Sequence, residues 1–257
     1  MIELKTLTVG YGNSPVLRDV NLTFPRGQVT VLLGPNGCGK STLLKSIPGL
    51  SRILEGSILV DGRDVGTFSP QELARLVSYL PQTRRVPDMT VEQLVLHGRF
   101  PYLSYPRRYR REDHAIVREV LDQLGLCQYV QTPLNRLSGG IRQKASIAMA
   151  LAQDTDAVLL DEPNAFLDIA HQLQLMELCA GLARRDKAVV LVLHDLNLAM
   201  TCSDRLAVLS EGSVIARGDP ESVYESGGLD RAFGVEVLRT RTGQGWQYHC
   251  RLNGKEI

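Results

Sequence analysis

The strongest constraint on the fold is a nearly all-apolar run, Val29-Thr30-Val31-Leu32-Leu33, that ends in Gly34-Pro35-Asn36-Gly37-Cys38-Gly39-Lys40-Ser41-Thr42. The apolar run reads as a strand buried on both faces. The segment after it has the pattern Gly-x-x-x-x-Gly-Lys-Ser. Its glycines let backbone N–H groups curl around phosphate, its lysine reaches the β- and γ-phosphates, and its serine hydroxyl ligates Mg²⁺. Residues 41–47 continue as a helix up to Pro48-Gly49, with the positive end facing the anion. Strand, glycine loop and helix in that order point to nucleoside triphosphate binding on an α/β scaffold.

Two further buried strands support that scaffold. Asp156-Ala157-Val158-Leu159-Leu160-Asp161-Glu162-Pro163 and Ala188-Val189-Val190-Leu191-Val192-Leu193 are apolar runs separated by a helical segment, Ile169–Arg184. Such alternation predicts a parallel sheet. The first residues differ: Ile2 to Val9 and Val20 to Phe24 alternate with period two, as half-buried strands do. Ser57-Ile58-Leu59-Val60 with the turn Asp61-Gly62 adds a strand, and Ser69-Pro70-Gln71-Glu72 carries the signals of a helix start. From 84 to about 150 helical spacing takes over, with Ile116, Val117, Val120, Leu121 and Leu124 on one face. Short β segments close the chain at 206–209, 213–216, 235–238 and 246–249.

Several polar residues stand where a parallel sheet presents its ligand crevice. Asp161 at a strand end would hold Mg²⁺, and Glu162 would polarise an attacking water. Adjacent carboxylates repel unless a cation lies between them. His194 closes the third buried strand and would contact the γ-phosphate. Gln82, after Tyr79-Leu80-Pro81, would reach metal or water. Tyr11, in the turn cluster Gly10-Tyr11-Gly12-Asn13, offers a ring to stack on adenine. A second phosphate-grade element, Leu137-Ser138-Gly139-Gly140, precedes a helix whose free N–H groups suit an anion. It belongs to the helical insert, so the sequence leaves open which phosphate it meets.

The 257 residues carry a formal net charge of +1, which excludes a general basic field for nucleic acid. No apolar run reaches the roughly 20 residues needed to span a bilayer, and the N-terminus lacks a signal-peptide layout. A cytosolic protein is expected. The five cysteines form no Cys-x-x-Cys pair, so neither zinc nor a disulfide framework is indicated. Cys38, inside the phosphate loop, is either an oxidisable thiol or a tolerated small residue, and the other four read as apolar fillers. Arg107-Arg108-Tyr109-Arg110-Arg111 is either a solvated helix start neutralised by Glu112-Asp113, or a face for a permease or anionic lipid head groups.

The order of these motifs resembles the nucleotide-binding subunit of ATP-binding cassette (ABC) transporters. The resemblance covers residues 1–240: Tyr11, the phosphate loop 34–42, Gln82, the signature 137–143, Asp161-Glu162, Leu167-Asp168 and His194. It implies a P-loop NTPase core, a RecA-like mixed or parallel sheet with an antiparallel β subdomain, and an inserted α-helical subdomain at about 84–150. Residues 226–257 form a β-containing tail of one ABC ATPase domain. It implies a head-to-tail homodimer in which ATP and Mg²⁺ lie between one copy's phosphate loop and the other's Ser138-Gly139-Gly140. Asp168 is then at the seam. The motif His97-Gly98-Arg99-Phe100-Pro101-Tyr102 and the run Asp195-Leu196-Asn197 resemble importer ATPases for ferric siderophores, haem and cobalamin. Integral membrane permease subunits, and through them a substrate-binding protein, are the implied partners at the cytoplasmic face of the membrane. Importers of metal ions or oxyanions and non-transport ABC ATPases are the alternatives. The segment between Gln82 and Leu137 is too short for the long coiled coil common among non-transport members, and Glu162 argues against a nucleotide sensor without turnover. Two positions depart from the family pattern: Ile141 replaces the usual glutamine at the fifth position of the signature, and Phe166 stands where a smaller residue is usual.

Overall fold

The computed structural model describes residues 1–82, 86–243 and 245–252. At its centre is a six-stranded sheet in the order β10-β9-β3-β8-β7-β6. Its members are β3 (Val29–Leu33), β6 (Val77–Leu80), β7 (Ala157–Asp161), β8 (Ala188–Val192), β9 (Arg205–Ser210) and β10 (Ser213–Gly218). All pair in parallel except the edge strand β10. Every residue of β3, β7 and β8 is buried. The reason is that both faces are covered. Val29, Val31 and Leu33 join one core cluster and Leu32 the other. Val189 and Leu191 likewise face away from Val190 and Val192. Continuous apolar runs are what such strands require.

A second, antiparallel sheet covers one face. It has the order β2-β1-β4-β5, from β1 (Ile2–Tyr11), β2 (Ser14–Phe24), β4 (Arg52–Val60) and β5 (Arg63–Asp64). Its inward residues Ile2, Leu4, Leu17 and Phe24 share a core with α1 (Lys40–Ser46) and α2 (Pro70–Leu76). The start of α2 is a reciprocal capping box between Ser69 and Glu72. The other face carries α6 (Ile169–Arg184) and α7 (Leu196–Cys202).

A third cluster lies wholly within residues 91–152. It joins α3 (Val91–His97), α4 (Arg111–Gln123) and α5 (Gly139–Ala152) through Val95, Val117, Leu121, Ala145 and Ala148. The expected start of the insert at 84 lies outside the described residues. None of the helices described is long and apolar enough to cross a membrane.

The tail contains helices that the local sequence pattern does not announce. After β10 come α8 (Pro220–Glu225), α9 (Gly228–Phe233) and a hairpin of β11 (Val235–Thr242) and β12 (Gly245–Leu252). Each helix has six residues, too short for an amphipathic repeat to show. The hairpin joins the main core through Val237 and Tyr248. The Tyr248 amide donates to Asn197 Oδ1 at 2.9 Å. Expectations for the cysteines need correcting. Cys179 is an apolar filler, its thiol pushed up to about 12 by burial, but Cys127 and Cys250 are exposed.

A candidate nucleotide site at the strand ends

Four adjacent parallel strands deliver side chains to one edge of the sheet. β3 leads into the phosphate loop, β8 to His194, β7 to Asp161-Glu162 and β6 to Pro81-Gln82. A cleft of about 580 Å³ there is lined by Tyr11, Asn36, Lys40, Gln82, Glu162 and His194, among others.

The loop is built around glycines that no other residue could replace without strain. Gly34 has φ +147°, and a Cβ on it would lie 2.1 Å from the Leu209 carbonyl oxygen. Gly39 has φ +105°, with Leu17 Cγ 2.7 Å from its Cβ position. Gly37, with φ +80°, is open to the cleft. Lys40 is buried, and its ammonium donates to the carbonyls of Gly34 and Pro35 at 2.8 and 2.9 Å. The lysine thus braces the curl, and the first-turn amides of α1 have no intrahelical acceptor. Cys38 is buried in the core shared with the antiparallel sheet, which favours the small-residue reading. Thr42 Oγ1 lies 3.3 Å from the Tyr11 hydroxyl. Tyr11 itself ends β1 rather than sitting in the turn, and its side chain is exposed.

Asp161 is fully buried. Ser41 donates to its Oδ1 at 3.1 Å and Tyr79 to its Oδ2 at 3.2 Å. Burial pushes its carboxyl above the usual range; the Ser41 and Tyr79 hydrogen bonds oppose that, and neighbouring Glu162 adds to it. A buried carboxylate beside a serine hydroxyl is an oxygen donor set suited to a hard cation such as Mg²⁺. No group of three His, Cys, Asp or Glu side chains fit for a metal occurs among the described residues. Any metal here would be held by Ser41, Asp161, Gln82 from across the cleft, and the phosphates themselves. Tyr79 was missed as part of the site. It immediately precedes Leu80-Pro81-Gln82, but only its pairing across to β7 reveals its target.

Glu162 turns away from its neighbour. Its backbone adopts φ +51°, unusual for a residue with a side chain. Its Oε1 lies 2.7 Å from His194 Nε2, a distance at which an Nε2-protonated imidazole donates to the carboxylate.

Ser138, Gly139 and Gly140 are elsewhere. Ser138 caps α5, accepting from the Ile141 amide at 3.4 Å. Gly139 lines a separate cavity of about 420 Å³ with Arg142, Gln143, Met149 and Phe166. Gln82 lines both this cavity and the cleft. Gln143, buried, donates to the Pro163 carbonyl at 2.7 Å, tying α5 to the residue after Glu162. Phe166, with φ +64°, is 81% exposed and packs against Gly139, whose Cβ position is 3.5 Å from its Cβ. Ile141 packs on the core of the insert. Asp168 caps α6, accepting from the His171 amide at 2.9 Å, which holds its carboxyl below the usual range. A larger cavity, about 770 Å³, lies between the insert and α6 and contains none of the strand-end residues.

The sequence profile of the ABC transporter family matches residues 17–165, more than half the chain. The chain belongs to the ABC transporter family. It is 41% identical over 242 residues, 93% of this chain and 88% of the relative, to a probable siderophore transport system ATP-binding protein of Bacillus subtilis. It is 39% identical over 235 residues, 90% of this chain and 86% of the relative, to the ferric enterobactin transport ATP-binding protein of Escherichia coli. The hemin import ATP-binding protein of Rhodococcus jostii is 39% identical over 235 residues, 90% of this chain and 80% of that protein. Among solved structures, an ABC transporter described as metal-chelate type, in an inward-facing conformation, superposes with a TM-score of 0.83 at 25% identity, covering 98% of both chains. The P-loop NTPase fold with added subdomains is thus that of ABC ATPase subunits.

Proposed function

We propose that this ABC protein hydrolyses ATP to drive import of an iron chelate, a ferric siderophore or haem, through a separate membrane permease. The supporting observation is that the phosphate loop, Glu162, His194 and Gln82 line one cleft, with buried Asp161 bonded to its Ser41, while Ser138-Gly139-Gly140 lie outside it. Lys40 exchanges its two loop carbonyls for phosphate oxygens, while the loop amides and the N-terminus of α1 cradle the rest. Ser41, Asp161 and Gln82 would hold Mg²⁺, with Tyr79 orienting the carboxylate. Mg²⁺, when bound, neutralises charge on the β- and γ-phosphate oxygens. Glu162 accepts a proton from the attacking water, and His194 fixes Glu162 and faces the γ-phosphate. Tyr11 stacks on the base. Gln82 senses the occupied cleft and borders the cavity under α5.

A second copy, head to tail, supplies Ser138-Gly139-Gly140, with Asp168 at the seam. Phe166, exposed and packed against Gly139, and the exposed apolar residues Ile169 and Leu173 on α6 favour such a partner. In other phosphoryl-transfer enzymes a group supplied in trans contributes about 10³–10⁵ in rate. The family and the names of its relatives support a place at the cytoplasmic face of the membrane, docked on permease subunits that a substrate-binding protein loads.

The test is reconstitution with its permease in liposomes. ATP turnover should rise when binding protein loaded with ferric siderophore or haem is added. Stimulation by an oxyanion or a free metal ion instead would replace the cargo reading, and absence of any turnover would overturn the ATPase reading.

A further inference from the structure

The basic segment ahead of α4 has no role in the cleft. Its flanks are firmly held. Gln71 Nε2 and Arg75 Nε donate to the Pro101 carbonyl at 2.8 and 2.9 Å. Arg99, buried, donates to the Ala152 carbonyl at 2.9 Å and to Asp113 Oδ1 at 3.0 Å. Tyr109 packs on the core of the insert. Between these anchors, residues 104–108 are exposed, and Tyr105 at 97% is the most exposed of the large hydrophobic side chains.

Of the two readings the sequence allows, the ion pairs do not follow the one in which Glu112-Asp113 neutralises these charges. Asp113 is taken by Arg99 and by the Arg110 amide, at 2.9 Å. Among the described residues, Arg107, Arg108 and Arg111 make no ion pair, and Glu112 is the one carboxylate beside them in sequence that remains uncommitted. Arg110 also faces Asp113. The Arg107 guanidinium lies 4.8 Å from the centre of the Phe100 ring, itself 48% exposed. Arg75 adds a further cation over Tyr102. This concentration of cations stands in a chain whose net charge is only +1.

We propose that residues 100–111 dock on anionic phospholipid head groups. Free guanidiniums supply the attraction to phosphate, and the exposed rings of Tyr105 and Phe100 suit the boundary between head groups and acyl chains. A membrane surface fits this segment because guanidiniums without ion pairs and exposed aromatic rings stand side by side on it, as at a boundary between anionic head groups and acyl chains. The contact adds a lipid component to membrane association and does not depend on nucleotide or permease.

The test is sedimentation of the purified full-length chain, without nucleotide, with vesicles of phosphatidylcholine alone or mixed with phosphatidylglycerol. Binding is expected only to the mixed vesicles and should weaken as salt rises. An arginine near an anionic surface is worth about fivefold in affinity, so the triple variant Arg107→Glu, Arg108→Glu, Arg111→Glu should lose at least about a hundredfold. The triple Arg→Lys variant should bind like the parent, and Tyr105→Ser should lose several-fold. ATP turnover without lipid and the melting temperature should be unchanged in all of them, which keeps failure here separate from failure of the ATPase reading. Equal binding to neutral vesicles, or charge-reversed protein that binds like the parent, overturns the proposal. So does absence of vesicle binding with loss of permease assembly in the reversed variant, which would assign the loop to a protein contact.

Discussion

The phosphate loop and the signature loop are both glycine turns leading into helices, yet the chain itself demands glycine far more strongly in the first. Gly34 and Gly39 have left-handed φ values and no room for a methyl group. Gly139 is in the first turn of α5 without a left-handed φ, and its Cβ position makes ordinary contact with Phe166. The phosphate loop is closed on itself, with Lys40 buried between its own carbonyls. The signature loop is open. Gly140 is tighter, its Cβ position 3.2 Å from the Phe166 carbonyl oxygen, but Gly139 is a small residue whose size its own chain does not demand, which leaves space for something that approaches from outside and fits the proposed trans site.

The largest effect should come from the hydrolytic residue. Glu162→Gln is expected to lose about 10²–10⁴ in turnover while ATP affinity is kept, and light scattering should find an ATP-dependent dimer. Undiminished hydrolysis would remove Glu162 from its role. Next, Lys40→Ala and Ser138→Arg chains, each inactive alone, are mixed. In a trans arrangement the mixed dimer retains one intact site and part of the turnover returns. No recovery would place the signature in cis, and full wild-type turnover would contradict composite sites altogether.

The glycine contrast can be tested for stability directly. Gly39→Ala should cost about 2 kcal/mol or more through strain and overpacking. Gly139→Ala should leave denaturant stability unchanged or raise it by up to about 1 kcal/mol, yet cut turnover. Equal destabilisation by both would erase the distinction between the two loops.

The smallest effect concerns Asp161. Its carboxyl is raised in the folded chain, so between the unfolded value and that raised value the native state holds more protons than the unfolded one. Stability from this group therefore falls as pH rises through the window and stays lower above it. Without nucleotide or Mg²⁺, Asp161→Asn should gain melting temperature relative to the parent as pH rises, by a few degrees. A constant difference across pH would show that Asp161 is not strained by burial.

Residues buried on both faces were the most legible. The apolar runs of β3, β7 and β8 and the bounds of α6 follow from local pattern, because their packing demands nothing but apolar side chains. So did the strand-end positions of Asp161, Glu162 and His194, since parallel topology leaves them one place to go. Contacts made across long sequence separations were not legible. Tyr79 meets Asp161 only because β6 pairs with β7. Asp113 looks like a counterion for neighbouring arginines until Arg99 is seen to claim it. Phe166 stood out as an odd residue, but nothing local announced that it would cover Gly139. α8 and α9 carry too few residues to declare a period.

The placement of Ser138-Gly139-Gly140 outside the chain's own cleft also has a genetic meaning. If each copy lends its signature to its neighbour, a defective allele does not merely subtract its own share. A chain altered at Lys40 or Ser138, expressed beside the normal one, enters most dimers and impairs sites whose other half is sound. Such alleles should act as dominant inhibitors of uptake, whereas alleles that prevent folding should be recessive.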